Sequence, residues 1–134
     1  MYVECFHWVN PRYRRLCFLK IFFSLISISG VTGYKQCTES FLFSLVNPSG
    51  SELTKMPLRG TNNQNGICCN SSYGPTFGGG NDLYIASGAN ANSNSYSSLG
   101  NSYECPPHAN ASFLVGQQNF TVSELEVFLF QATG

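Results

Sequence analysis

The sequence predicts a predominantly β protein, on three observations. Short apolar stretches alternate between two faces, clusters of turn residues separate them, and no stretch after residue 34 carries a convincing helical period. A run of short strands joined by turns is the expected outcome.

The elements follow in order. In Glu39–Gly50, "ESFLFSLVNPSG", Phe41, Phe43 and Leu45 share one face while Leu42, Ser44 and Val46 share the other. Both faces are largely apolar, so this segment should be an inner strand. Asn47-Pro48-Ser49-Gly50 is strong turn chemistry, and "LTKMPLRG" is the expected return strand. Pro57 cannot donate to a ladder, which places that strand at an edge or a bulge. "NNQNG" is a further turn, "ICC" a short strand, and "DLYIAS" a strand with Leu83 and Ile85 opposite Tyr84. The Asn- and Ser-rich stretch from Ala89 to Ser102 is close to low complexity and is expected to be a long surface loop. "ASFLVG" is short and apolar. "NFTVSELEVFLF" changes phase, with Phe120 and Val122 on one face and Leu125, Val127 and Leu129 on the other. A bulge near Ser123-Glu124 would reconcile the two.

Gly78-Gly79-Gly80 raises the question of a phosphate loop. Such a loop needs a lysine after the glycines, and here Asn81 and Asp82 follow. A carboxylate at that place repels phosphate. A dinucleotide fingerprint needs a helix after the glycines, where this chain has a strand. The glycines are expected to turn the chain, with Pro75 and Phe77 fixing the loop on the core.

Composition narrows the function classes. The 134 residues suit one domain at most. Charged residues are only 10% of the chain, with seven basic and seven acidic residues. Arg12, Arg14, Arg15, Lys20 and Lys35 lie near the N-terminus, so the remainder is mildly acidic and lacks the basic face that nucleic acid requires. The N-terminal "RYRRLCFLKIFFSLISISGVTG" has a basic start, an apolar run and small residues. Three readings stand, in order of preference: a replaced or misassigned N-terminus, a signal peptide cleaved near Gly30 or Gly33, and a membrane anchor over residues 16–31. Membrane contact is expected only under the last of these. Asn70, Asn110 and Asn119 begin glycosylation triplets that matter only if the chain is secreted. The six cysteines are even in number, yet buried free thiols are the expectation for most of them.

"ESFLFSLVNPSG", "YGPTFGGGNDLYIA" and "NFTVSELEVF", in that order, resemble the second half of the TLDc domain. The motif residues that carry the resemblance are Phe41, Phe43, Phe77, Gly78, Gly79, Gly80, Glu126, Val127 and Phe128, each expected to be structural. The resemblance implies an α+β, predominantly β fold, a partial twisted β-sandwich with short flanking helices, here with an extra N-terminal apolar segment. It divides the chain into a leader over 1–38, an incomplete TLDc-like domain over 39–131 and a tail over 132–134. It implies no catalytic centre and no cofactor. It also implies a protein-interaction module linked to oxidative-stress protection and to a subunit of the vacuolar proton-pumping ATPase, in the cytoplasm. The alternative is a secreted or surface β-rich glycoprotein with disulfides, in the secretory pathway or anchored by the leader. The sequence departs from the family pattern in its long Asn/Ser loop and in the "FLF" that ends its last strand.

Two constellations could carry chemistry. Cys105-Pro106-Pro107-His108 spaces a thiol and an imidazole as half a metal site or a nucleophile–base dyad would. No C-x-x-C pair completes the metal set, and the reading preferred is a proline-rich turn. Glu124 and Glu126 stand two apart on a strand and so point to one face. They are expected to face solvent or a partner rather than to act as acid and base.

Overall fold

The computed structural model describes residues 2–9, 16–23, 32–36, 40–44, 53–60 and 63–129. The strands are β1 (Tyr2–Val9), β2 (Leu16–Phe23), β3 (Gly33–Lys35), β4 (Phe41–Ser44), β5 (Thr54–Pro57), β6 (Ile67–Cys69), β7 (Thr76–Phe77), β8 (Leu83–Tyr84), β9 (Ser95–Ser97), β10 (Asn119–Phe120) and β11 (Glu124–Leu129). Helix among the described residues is confined to a 3-10 turn at Asn63–Asn65. Two sheets result. One has the order β11-β1-β2-β4-β5 and the other β10-β9-β8-β7-β6-β3, and every pairing is antiparallel. The protein is thus predominantly β and sandwich-like, as its alternating segments predict.

The hairpin of β4 and β5 follows the local pattern. Phe41 stands opposite Pro57 and Leu42 opposite Met56. β4 is an inner strand, between β2 and β5, and β5 is the last of the described strands in that sheet. Pro57 therefore occupies an edge strand, where its missing N–H costs no ladder bond. Leu42 and Met56 are buried, and they join Phe77, Leu83 and Phe120 of the other sheet in one core, with Ile85, Leu99, Tyr103, Leu114, Val115 and Val122 from the connections.

Two expectations are corrected. The Ala89–Ser102 stretch is not a continuous surface loop. Ser95–Ser97 forms β9 between β8 and β10, and Ser95, Ser97, Leu99 and Ser102 are buried. Its small hydroxyls are satisfied inside the protein: the Ala86 N–H donates to Ser95 Oγ at 3.1 Å, and Ser97 Oγ donates to the Asp82 carbonyl at 3.3 Å. The phase change in the closing segment is not a bulge either. Phe120 belongs to β10 of one sheet and Glu124 to β11 of the other, so the chain crosses between sheets over Thr121–Ser123. Val122 is buried at the crossing, and its N–H donates to the Ala89 carbonyl at 2.9 Å.

Within the segment set apart as a leader, β1 and β2 pair with each other, β1 with β11, and β2 with β4. Residues 16–23 of the anchor reading lie in β2, and residues 24–31 fall outside the described residues.

Candidate functional site

The glycine turn is built around a buried acid. Gly78 has φ of 84°, and its N–H donates to the Gly66 carbonyl at 3.0 Å. A side chain at Gly78 would run into the Asp82 carboxylate, and one at Gly80 into the Asn101 amide. The Gly79 N–H donates to Ser102 Oγ at 2.8 Å. The glycines thus serve the turn, as the sequence implies, because the chain must pass within contact of two side chains.

Asp82 is fully buried. Its Oδ2 accepts the backbone N–H groups of Asn101 and Tyr103, each at 3.1 Å, and its Oδ1 accepts that of Ser102 at 2.9 Å. Burial pushes the carboxyl above the ordinary carboxylate range, and the backbone N–H groups of residues 100–103 pull it back down. The amides of residues 101–103 form a nest that holds this internal carboxylate, while the N–H groups of Gly78 and Gly79 are spent on the Gly66 carbonyl and Ser102 Oγ and are not free to bind phosphate.

Tyr103 carries the same turn across the core. Its hydroxyl donates to the Gly66 carbonyl at 2.9 Å and shares a 2.6 Å hydrogen bond with Ser40 Oγ. Tyr103 also forms a β-bridge with Leu58, the Arg59 N–H donates to the Ser102 carbonyl, and the Arg59 guanidinium donates to the Gly100 carbonyl at 2.6 Å. The edge of the first sheet is thereby tied to the turn that the second sheet's acid organises. Sequence reasoning missed Asp82, Tyr103, Ser40 and Arg59 in these roles. Partners tens of positions apart leave no local signal.

Phe77 is buried on β7, Phe43 packs on the core, and Phe41 meets Phe43 with ring centroids 5.9 Å apart. Lys55 Nζ stands 4.0 Å from the centroid of the Phe41 ring. Glu126, Val127 and Phe128 pair with Cys5, Glu4 and Val3 along β1. Asn70, Asn110 and Asn119 are exposed, and Asn70 and Asn110 use their side-chain oxygens to cap their own turns.

Cys105 and His108 do not form a dyad. Cys105 Sγ donates toward the carbonyls of Ala109 and Asn110, at 3.6 and 3.4 Å, and burial pushes its thiol up. His108 is exposed with φ of 64°, a turn residue in the left-handed region. Cys68, Cys69 and Cys105 are free thiols, and burial raises the Cys69 thiol as well.

A groove of about 480 Å³ opens where the chain crosses between sheets. Three segments line it: residues 71–75, 85–90 and 122–125. Ile85, Ala86 and Val122 are buried there, whereas Tyr73, Glu124 and Leu125 are exposed. Of the two glutamates expected to face a partner, Glu124 therefore lies at this groove. The side chain of Glu126 lies outside the description.

A two-sheet antiparallel protein with a surface groove, and with its one acid in the glycine turn spent on structure, belongs to the class of β-rich, sandwich-like domains. The family can be stated more closely. The sequence model of the TLDc domain matches residues 23–131, and the chain belongs to that family. The match begins earlier than the Glu39 at which the motif resemblance starts. No curated protein and no solved structure matches the chain.

Proposed function

We propose that this chain is a non-enzymatic protein-interaction module of the TLDc family, and that its partner is a subunit of the vacuolar proton-pumping ATPase, with oxidative-stress protection as the physiological outcome. The observation that carries the reading is the groove at the sheet crossover. It combines a buried apolar floor, two exposed large apolar side chains and a carboxylate at its rim. Interfaces concentrate their energy in such features: an apolar centre, aromatic contact and a polar margin. Membership of the TLDc family supports the choice of partner class.

The test is capture of proton-pump subunits by the purified chain, with the Leu125→Ser variant alongside. Capture by the parent chain and its loss in the variant would support the proposal. Empty capture by the parent, with another TLDc protein as positive control, would exclude this partner.

A further inference from the structure

The register of the second sheet places one row of residues directly opposite one another. Tyr34 pairs with Cys68, Cys68 with Thr76, Thr76 with Tyr84, and Tyr84 with Tyr96. Cross-strand partners share a face. The other face carries Cys69, Phe77, Leu83 and Phe120, all buried in the core or against it. The row therefore lies on the face away from that core, with Thr76 itself buried at its foot, and from Tyr34 to Tyr84 it reads tall, short, short, tall. Two small side chains separate two tyrosines that stand three strand spacings apart, roughly 14 Å. The result is a notch of about 400 Å³ with Cys68 and Thr76 as its floor.

Tyr34 and Tyr84 line opposite sides of the notch, and Tyr73 and Asn81 complete it. The planes of Tyr73 and Tyr84 meet at 83°, with centroids 6.2 Å apart, like adjacent walls of a box. The Tyr34 hydroxyl is turned to the Gly79 carbonyl, 3.2 Å away, which fixes that ring. Among the described residues, no charged side chain lines the notch. Aromatic faces carry negative potential, so three rings without a cation among them favour positive over negative charge. The chain already makes one such contact elsewhere, between Lys55 and Phe41. Among the described strands, Tyr34 belongs to β3, the last in its sheet's order, and an extended chain adds at such a sheet edge.

We propose that this notch binds an alkylammonium group, presented as a lysine side chain by an extended partner segment. The inference rests on the interaction-module reading and adds a second contact surface to it. Methylation of the lysine strengthens binding, since it removes N–H donors that the ring walls cannot satisfy.

The experiment is an NMR titration of the full chain with three short peptides, identical except for one side chain: trimethyllysine, lysine, or a neutral tert-butyl analogue of the same shape. Ring protons of Tyr34, Tyr73 and Tyr84 should shift with the trimethyllysine peptide, and the neutral analogue should bind roughly tenfold more weakly. Tyr84→Ala should abolish the shifts and Tyr84→Phe should retain them. Tyr34→Ala, at an exposed edge position, repeats the test if the first variant unfolds. Equal binding of the neutral analogue, or no ring shift with any peptide, overturns the proposal. Free choline binding as tightly as the peptide overturns the assignment to a peptide. The groove variant Leu125→Ser is scored separately for proton-pump capture. Failure here with capture intact removes only the notch, and loss of capture with intact peptide binding removes only the proposed partner.

Discussion

Asp82 Oδ2 accepts the backbone N–H of Tyr103 at 3.1 Å, 21 positions away, with both residues wholly inaccessible to solvent. One residue organises the turn after the glycines, and the other carries that turn to Ser40 and Gly66.

The buried carboxylate gives a pH dependence of known sign. Its folded-state pKa is raised, chiefly by burial, so the folded protein holds this proton more tightly than the unfolded chain. Its contribution to stability should therefore fall as pH rises from about 4, the unfolded value, through the raised folded value. Asp82→Asn should remove that slope. It should also lower stability at pH 7 by about 2 kcal/mol, because an amide nitrogen then faces backbone donors. Denaturant titrations of both proteins between pH 4 and 7 check the slope and the offset.

Gly78→Ala should cost at least about 2 kcal/mol, from left-handed strain added to the collision with Asp82. A fall in thermal midpoint of several degrees would show it. An unchanged midpoint would mean that the turn can relax.

Tyr103→Phe removes a hydroxyl shared by Ser40 and Gly66 without opening a large cavity. The expected loss is about 1–2 kcal/mol, read from denaturant midpoints. Ser40→Ala in the same background should then cost little more, since the two groups act together.

His108→Gly should stabilise the fold by up to about 1 kcal/mol, because His108 sits at φ of 64° and the structure gives it no dyad with Cys105. A loss of stability would reveal a contact by the imidazole that outweighs the strain.

Leu125→Ser should lower stability by only about 1 kcal/mol, because the side chain is 42% exposed and its burial is partial. Affinity for a groove-bound partner should fall at least roughly tenfold. Calorimetric melting and binding isotherms separate the two effects.

The pairing of β4 with β5 was legible because its information is local, in alternation and a proline at an edge; the Asn47–Gly50 turn lies outside the described residues. β9 was not legible. Ser95 and Ser97 look like loop residues, and only their hydrogen bonds to Ala86 and Asp82 make their burial tolerable. Nor could the closing segment reveal its change of sheet, since a shift of phase reads the same for a bulge and for a crossing. Of the site, the structural role of the glycines and the exposure of Glu124 were readable. The groove and the tyrosine-walled notch were not, since each gathers residues from at least three separate segments.

Taken alone, the sequence determined the β class, the turning role of Gly78–Gly80 and the TLDc family, because periodicity, turn chemistry and ordered motifs are carried by neighbouring residues. Only the tertiary structure decided that Asp82 would face an amide nest, that Tyr103 would tie the two sheets, and that Tyr34 and Tyr84 would flank two small residues. Each depends on strand register and on partners brought together across the core, where the free energy of burial, not the order of residues along the chain, selects what meets what.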